Sequence, residues 1–315
     1  MSALSFHFRQ SFTGMTSWAK VLLLAALILL FMLLGTVISM VLAIPIFGLS
    51  MSELYQAIGY PTADTIGILK YFQIVQTIFL FLIPSLLAAF LYSGDTAQYL
   101  MARKTPAWLT LMLVAGSLVL SIPLMNVLTE FNASMKLPIW MEGIETRIRS
   151  MEETAGKLTD LFLNGKNYSD LSVNLLMIAI LPALGEEFLF RGVVQRLFSE
   201  MTGNRHLGIW IAAFVFSFFH FQFYGFLPRF LLGLYFGYLL FWSSSIWVPV
   251  TAHFINNGLA VVYYHFSKAA MGETAMDKLG IETGGHASVY LSVFFTSLVI
   301  GLIYLKERER KISAG

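Results

Sequence analysis

Two adjacent glutamates and an arginine stand in an otherwise apolar stretch, LPALGEEFLFRGVV at residues 181–194. On a helix Glu187 and Arg191 are four residues apart with the acid first, which is the favourable order for an ion pair. Glu186 is turned about 100° away from Glu187 and is five residues from the arginine, so it lacks a full countercharge. We therefore expect Glu187 and Arg191 to form a structural pair, and Glu186 to be a candidate general base.

Two further apolar stretches carry polar groups that can do chemistry. His220 stands in the aromatic run FVFSFFHF, and His253 and Asn257 are four residues apart in PVTAHFINNGLAVV, hence on one face of a helix. A charge at bilayer depth costs roughly 2.5 to 3.5 kcal/mol, so such groups must face protein or a water-filled cavity. Together with a carboxylate, they can activate a water molecule and stabilise an oxyanion.

The elements that must position these residues are membrane helices. The chain has 315 residues, of which 57% are hydrophobic and 12% charged, and its mean hydropathy is +0.73, unlike a water-soluble domain. The apolar runs are continuous rather than alternating, which favours helices over a β-barrel. The sequence thus predicts an all-α polytopic membrane bundle of about eight transmembrane helices. The predicted spans are 20–47, 71–92, 106–128, 171–195, 206–224, 227–243, 245–266 and 285–305.

Charge and cysteine content exclude several kinds of partner and site. The formal net charge is +2 and no long basic run occurs, so nucleic acid is not an expected partner. The absence of cysteine excludes disulfides, thiolate metal sites and cysteine nucleophiles. Any metal would have to be held by His, Asp, Glu or Asn side chains.

The segments between the predicted spans are of two kinds. Residues 129–170 have apolar residues at helical spacing with charges between them, which indicates an amphipathic extramembrane helix. The short loops 93–105 and 196–205 are basic, as are both chain ends, so the positive-inside rule predicts that both termini are cytoplasmic. We expect residues 1–315 to form one bundle domain in the cell (inner) membrane, with its catalytic core at about 171–266.

Two features of the sixth predicted span have structural interpretations. Gly233 and Gly237 form a small-xxx-small pair, which indicates close helix packing within the bundle or in a dimer. Arg229 lies near the end of that span, where its long side chain can reach the membrane surface.

Three motifs follow one another on separate predicted helices: EEFLFR fits E-E-x-x-x-R, FSFFH fits F-x-x-x-H and HFINN fits H-x-x-x-N. In this pattern the chain resembles the CPBP family of intramembrane proteases, also called the CAAX-protease and bacteriocin-processing or ABI family. The resemblance spans about residues 171–266, and no motif position departs from it. It implies an eight-helix bundle with an intramembrane cavity that opens toward the cytoplasm and to lipid.

The same resemblance implies roles for the individual residues. Glu186 would activate water together with His220, while His253 and Asn257 would stabilise the oxyanion. The substrate would be a membrane-associated peptide or protein, and in some family members it is a prenylated CAAX tail.

Glu187 and Arg191 complete the first motif, and the resemblance gives them supporting roles. Other members of the family act as immunity or scaffold proteins. A non-catalytic membrane scaffold is therefore one alternative function. A proton-coupled transporter is another, because acid and histidine chains in membranes also relay protons, although no inverted repeat is clear.

The need for a metal stays open at this point. Glu186, His220 and His253 could supply the three protein ligands of a catalytic zinc ion. However, no H-E-x-x-H motif occurs, and the ligands would come from three helices. We therefore assign no cofactor, keep zinc as an alternative, and favour metal-free glutamate catalysis.

Overall fold

The fold is known from a computed structural model, which describes residues 12–165, 167–267, 281 and 286–314. Within these ranges the chain consists of helices and the turns that join them, and no strand is present. The predicted all-α fold is thereby confirmed.

The described residues contain fifteen α-helices, which are numbered in chain order. They are α1 (Ser17–Phe47), α2 (Met51–Gly59), α3 (Ile66–Thr77), α4 (Ile83–Ser93), α5 (Thr96–Tyr99), α6 (Trp108–Leu120), α7 (Ile122–Ser134), α8 (Glu142–Leu163), α9 (Tyr168–Asn174), α10 (Leu181–Glu186), α11 (Gln195–Thr202), α12 (Arg205–Phe218), α13 (Phe226–Ser243), α14 (Trp247–Ser267) and α15 (His286–Ala314). Wider π-helical turns continue some of these helices, at Ile78–Leu82, Leu175–Ile180 and Glu187–Val194.

Several helical stretches are long and apolar enough to cross a membrane. The described residues contain five, namely Ser17–Phe47, Ile66–Ser93, Tyr168–Thr202, Phe223–Ser243 and His286–Ser313. The pair α6 and α7, bent by 49°, would be a sixth if it is one span. Pro123 in the first turn of α7 explains the bend, because proline has no N–H to continue the hydrogen bonding of α6. Each predicted span overlaps helical residues, although 106–128 covers parts of both α6 and α7, and the predicted count of eight is not confirmed.

The outer surface of these helices suits a lipid environment. α1 alone exposes more than half of Leu22, Leu33 and Val37, with 70%, 62% and 59% of these side chains accessible. A water-soluble protein would not leave such a continuous apolar surface uncovered. The chain is an integral membrane protein.

The interior is built around the π-helical turn Glu187–Val194. Every residue of this turn is buried, and its apolar side chains form one core with residues of α1, α4 and α12. The carboxylate and guanidinium of the first motif are therefore held inside protein and do not face lipid.

α12 and α13 pack closely through the two glycines singled out above. A Cβ atom at Gly237 would lie 2.7 Å from Ile209 Cγ2, and one at Gly233 would lie 3.1 Å from Ala213 Cβ. A larger residue at Gly237 would force the helices apart. The close packing predicted from the small-xxx-small pair thus occurs within the bundle.

α12 ends earlier than the sequence predicted. The helix stops at Phe218, and Phe221 adopts a left-handed backbone with a φ of 51°. His220 therefore lies in a turn, not inside the span predicted at 206–224. The chain reverses there because Ser217 Oγ donates a 2.7 Å hydrogen bond to the carbonyl of Phe226, which ties the end of α12 to the start of α13.

The polar segment predicted at 129–170 contains the amphipathic helix α8. Of its residues only Phe162 is buried. α8 is attached to the bundle at Glu152, whose Oε1 accepts from the Tyr224 N–H at 3.0 Å, and at Asp160, whose Oδ1 accepts from the Tyr264 hydroxyl at 3.0 Å. α8 thus lies at the same end of the bundle as the His220 turn. The proposed domain boundaries remain a prediction.

Candidate active site

Glu187, Arg191 and His253 form a buried polar cluster. Glu187 Oε1 accepts hydrogen bonds from Arg191 Nη1 and His253 Nδ1, both at 2.8 Å. The three residues are only 0%, 2% and 4% exposed. Arg191 Nη2 also donates to the Gly233 carbonyl at 3.2 Å, and the guanidinium lies 4.4 Å from the ring centre of Phe216. The predicted ion pair is present, and it also binds a histidine that the sequence placed in another helix.

The contact with Glu187 fixes the tautomer and orientation of His253. Because a carboxylate only accepts, Nδ1 of His253 carries the proton, and Nε2 is left for another partner. The imidazole is stacked on Phe236, with ring centres 5.6 Å apart and an interplanar angle of 27°. A carboxylate that orients a histidine in this way is a common supporting arrangement at catalytic and metal sites.

His220 presents its ring in the same way through a different partner. Its Nδ1 lies 2.8 Å from the Phe216 carbonyl oxygen. A carbonyl accepts, so Nδ1 carries the proton here as well and Nε2 is left as the free nitrogen. The Phe216 ring packs edge-on against His220, with the ring centres 4.9 Å apart.

The turn that carries His220 is clamped by neighbouring helices. Asn132 of α7, only 2% exposed, binds both sides of it: Nδ2 donates to the Phe223 carbonyl at 3.0 Å and Oδ1 accepts from the Leu227 N–H at 2.7 Å. Arg149 of α8 lies 3.9 Å from the ring centre of Tyr224. Sequence reasoning missed this clamp, since an asparagine near a span end has no signal beyond its polarity.

Glu186 is partly buried at the end of α10. Its carboxylate interacts electrostatically with His220, Arg191 and Arg229. Glu186 and His220 are thus in the same electrostatic environment, and Arg191 already has Glu187 as its closer partner. The carboxylate that was expected to lack a full countercharge is also the one that interacts with the histidine of the second motif.

Arg229 is closer to this chemistry than its sequence position suggested. It was interpreted as reaching the membrane surface, but its guanidinium donates to the side chain and to the carbonyl of Gln222. It lies against Gly225, where an added Cβ would clash with it. It interacts electrostatically with Glu186 as well as with Glu152. The only sequence signal for the position of Arg229 near Glu186 was that it is an arginine in an otherwise uncharged span.

Asn257 is directed at the backbone of the neighbouring helix. Its Nδ2 donates to the Ile178 carbonyl at 2.9 Å, and its Oδ1 accepts from Asn256 at 3.1 Å. Pro182, four residues after Ile178, cannot supply the N–H that an α-helix would offer to that carbonyl. This hydrogen bond uses one of the two amide hydrogens of Asn257 and leaves the other for a further partner.

These residues do not form a ready metal centre. Across the residues that the structure describes, no three His, Asp or Glu side chains converge as metal ligands. Glu186, His220 and His253, the ligand set considered above, do not fit a three-ligand zinc site in this geometry.

Part of the sequence matches the model of a known family. Residues 168–259 match the family model for Rce1-like proteins, described as type II CAAX prenyl endopeptidases. These residues are similar to the Rce1-like proteins, and they are called the Rce1-like segment below. Over this part of the chain the resemblance to the CAAX-protease family is confirmed, and the Rce1-like segment contains all three motifs.

The chain is also similar to a curated protein over a stretch of comparable length. The uncharacterised protein YpbD of Bacillus subtilis (strain 168) is 32% identical over 109 residues, which is 33% of this chain and 53% of that protein. The match thus spans about half the length of the curated relative. No solved structure matches the chain.

The Rce1-like segment brings its polar residues together as two linked groups. Glu187, Arg191 and His253 form a hydrogen-bonded cluster, and the charge of Glu186 acts on His220 without a hydrogen bond between the two side chains. His220 and His253 also interact electrostatically, which connects the two groups. Two oriented imidazoles beside a carboxylate can hold a water molecule and move its proton.

Proposed function

We propose that the chain is an intramembrane endopeptidase that hydrolyses a peptide bond in a membrane-associated peptide or protein. The match of residues 168–259 to type II CAAX prenyl endopeptidases supports the proposal at the level of the family. The observation that supports it at these residues is the nearness of the Glu186 carboxylate to His220, whose Nδ1 is bound to the Phe216 carbonyl and whose Nε2 is left for a water molecule. A prenylated C-terminal peptide is the first substrate to test.

In this proposal Glu186 and His220 activate the attacking water. Water held between the carboxylate and His220 Nε2 gives a proton to Glu186, and the hydroxide attacks the scissile carbonyl carbon. When the tetrahedral intermediate collapses, the carbon–nitrogen bond breaks and the proton passes to the leaving amine. The clamped turn keeps His220 at a fixed place during both steps.

Asn257 and His253 are the proposed oxyanion site, but they contribute differently. Asn257 has one amide hydrogen that the Ile178 carbonyl does not use. His253 donates through Nε2 only as an imidazolium, since its neutral form holds the proton on Nδ1 against Glu187. The Glu187 carboxylate, shared with Arg191, stabilises that imidazolium.

We propose a cell-membrane protein with both termini in the cytoplasm, on the basis of its basic loops. Arg205 is the last residue of the basic segment 196–205 and the first residue of α12. His220 follows the opposite end of that helix. With cytoplasmic termini, the His220 turn and α8 therefore face away from the cytoplasm. This differs from the cytoplasmic opening that the family resemblance implies, and a topology measurement distinguishes the two.

The proposed activity is tested by incubating the purified full chain with libraries of membrane peptides, with and without a prenylated cysteine. Cleavage is read by mass spectrometry. Glu186→Ala should abolish cleavage without loss of the fold, whereas Glu200→Ala, at an exposed carboxylate on α11, should cleave as the wild type does. A folded, active Glu186→Ala protein would refute the assignment. Peptide capture without cleavage by the wild type would favour the scaffold.

Metal-free catalysis predicts a separate result, namely that cleavage does not depend on zinc. Because the described ligands do not converge, treatment with a zinc chelator should leave cleavage unchanged. Loss of cleavage on chelation, restored by added zinc, would overturn metal-free catalysis but not the endopeptidase assignment.

A further inference from the structure

A cavity lies at the other end of the bundle from the His220 turn. It has a volume of about 620 Å³. Its walls come from the residues after α5, from the end of the Glu187–Val194 turn with α11, and from the end of α13. None of Glu186, His220, His253 and Asn257 lines it. This basic-end cavity is therefore distinct from the candidate active site.

The lining of the basic-end cavity is positively charged. Its cations are Arg191, Arg196, Arg205 and Lys311, and Glu200 is the one acidic residue among the described lining residues.

Among the residues that the structure describes, two of these cations are in a salt bridge with a carboxylate and two are not. Arg191 is paired with Glu187 at 2.8 Å, and Arg196 is paired with Glu200 at 3.1 Å. No lining carboxylate is left for Arg205 and Lys311. Lys311 is attracted by Glu307, which lies outside the cavity lining, but it is repelled by both Lys104 and Arg205. The cavity therefore has an uncompensated positive charge, which favours an anion.

Two buried polar atoms in the cavity wall lack hydrogen-bond partners within the described chain. These are the hydroxyl of Tyr99 and Oε1 of Gln195, and the two residues are only 3% and 8% exposed. Burial raises the pKa of the Tyr99 hydroxyl, so it stays protonated and can donate. Gln195 Oε1 can only accept. An unpartnered buried polar atom is costly, so a ligand with one acceptor and one donor would satisfy both.

The rest of the wall limits the size and character of the ligand. Leu100, Met101, Leu240 and Phe241 provide apolar surface beside the polar groups. Lys311 Nζ donates one hydrogen bond to the Phe241 carbonyl at 2.9 Å, and an ammonium has two further donors. The cavity thus offers three kinds of contact. Its cations can bind an anionic group, its two unpartnered polar atoms can bind an adjacent polar group, and its apolar wall can pack against the rest of the ligand.

We infer that the basic-end cavity binds a phosphate group that carries a neighbouring hydroxyl, as in a polyol phosphate. The phosphate oxygens would accept from Arg205, Lys311 and the Tyr99 hydroxyl, and the ligand hydroxyl would donate to Gln195 Oε1. The ligand is either the headgroup of an anionic phospholipid or a soluble polyol phosphate. This inference does not depend on the proposed protease activity.

The cavity is connected to the candidate active site through one side chain. Arg191 lines the cavity and also binds Glu187, which in turn orients His253. A phosphate near Arg191 would compete with Glu187 for the guanidinium. Occupancy would therefore change the surroundings of His253 without contact with a peptide substrate.

Binding is tested on the full chain in lipid nanodiscs or micelles, by native mass spectrometry with phosphatidylglycerol and with phosphatidylcholine as probes. Arg205→Gln removes an exposed charge, and Tyr99→Phe removes only an unpartnered hydroxyl, so both should fold. Arg308→Gln is the matched control, since Arg308 is exposed near the same end and does not line the cavity.

We expect phosphatidylglycerol to bind in preference to phosphatidylcholine. Arg205→Gln should weaken this binding about fivefold, as for one cation beside an anionic headgroup. Tyr99→Phe should weaken it measurably, and Arg308→Gln should not. Displacement by glycerol 3-phosphate would identify a soluble ligand, and retention of the lipid would identify the headgroup.

The inference is overturned if the two lipids bind equally and glycerol 3-phosphate does not bind. It is also overturned if Arg308→Gln weakens binding as much as Arg205→Gln does, because that result would indicate a diffuse surface charge and not a site.

Discussion

Removal of Glu187 should be much more harmful than removal of its partner Arg191. An arginine cannot lose its proton in a protein, so Glu187→Leu leaves a charged guanidinium in a site that is 2% exposed. A glutamate can become neutral, so Arg191→Leu leaves a carboxylic acid whose Oε1 still has His253 beside it. The two single variants therefore differ although they break the same 2.8 Å ion pair.

The magnitudes follow from burial and from what each substitution leaves unpaired. Loss of one partner of a buried ion pair costs about 3 to 5 kcal/mol, which we expect for Glu187→Leu. Arg191→Leu should cost about 1 to 3 kcal/mol, as for a buried polar group left without its partner. In the double variant no charge remains unpaired, so it should be more stable than Glu187→Leu alone.

The assay is reversible unfolding of the full chain in mixed micelles, followed by the loss of helical circular dichroism as denaturant is added. The exposed pair Arg196 and Glu200, with 39% and 36% of the side chains accessible, is the matched control. Glu200→Gln should change the free energy of unfolding by less than about 1 kcal/mol. The reasoning fails if the effects of Glu187→Leu and Arg191→Leu are equal, or if they simply add in the double variant.

Three further expectations concern the His220 turn, α8 and the orientation in the membrane. Asn132→Ala removes both side-chain hydrogen bonds that clamp the turn, at about 1 kcal/mol each, so the cleavage rate should fall while the helical content stays unchanged; an unchanged rate would argue against positioning by the clamp. Hydrogen bonds from the Leu137 N–H and Arg149 lower the pKa of Glu145, so the stability it contributes is present above its unfolded pKa of about 4.3 and is lost as pH falls through the lower folded pKa. Accordingly, the difference in unfolding free energy between the wild type and Glu145→Gln should vanish once the pH falls below the folded pKa of Glu145. A difference that persists at lower pH would show that the charge of Glu145 is not its cause. Because the chain has no cysteine, a Ser150→Cys variant with its site in α8 should react with an impermeant maleimide in intact cells if the termini are cytoplasmic; reaction only after lysis would reverse the orientation.

The sequence by itself determined the membrane class, the position of each long helix and the three motifs. These depend on properties that are local along the chain: continuous apolar runs fix where helices lie, and a charge inside such a run must have a protein partner because lipid cannot solvate it. For the same reason Glu187 and Arg191 could be paired from their spacing alone, and the structure has that pair at 2.8 Å.

Tertiary structure decided which groups meet across helices. The contact of His253 with Glu187, 66 residues away, and the electrostatic approach of Arg229 to Glu186 depend on the packing of separate helices, which no spacing along the chain reports. The end of α12 before His220 also depends on contacts between helices: Ser217 of α12 donates a hydrogen bond to the first residue of α13, and Asn132 of α7 donates to the turn at Phe223. A helix boundary is weakly specified by local sequence when every neighbouring residue is aromatic or apolar, so contacts with other helices determine where it falls.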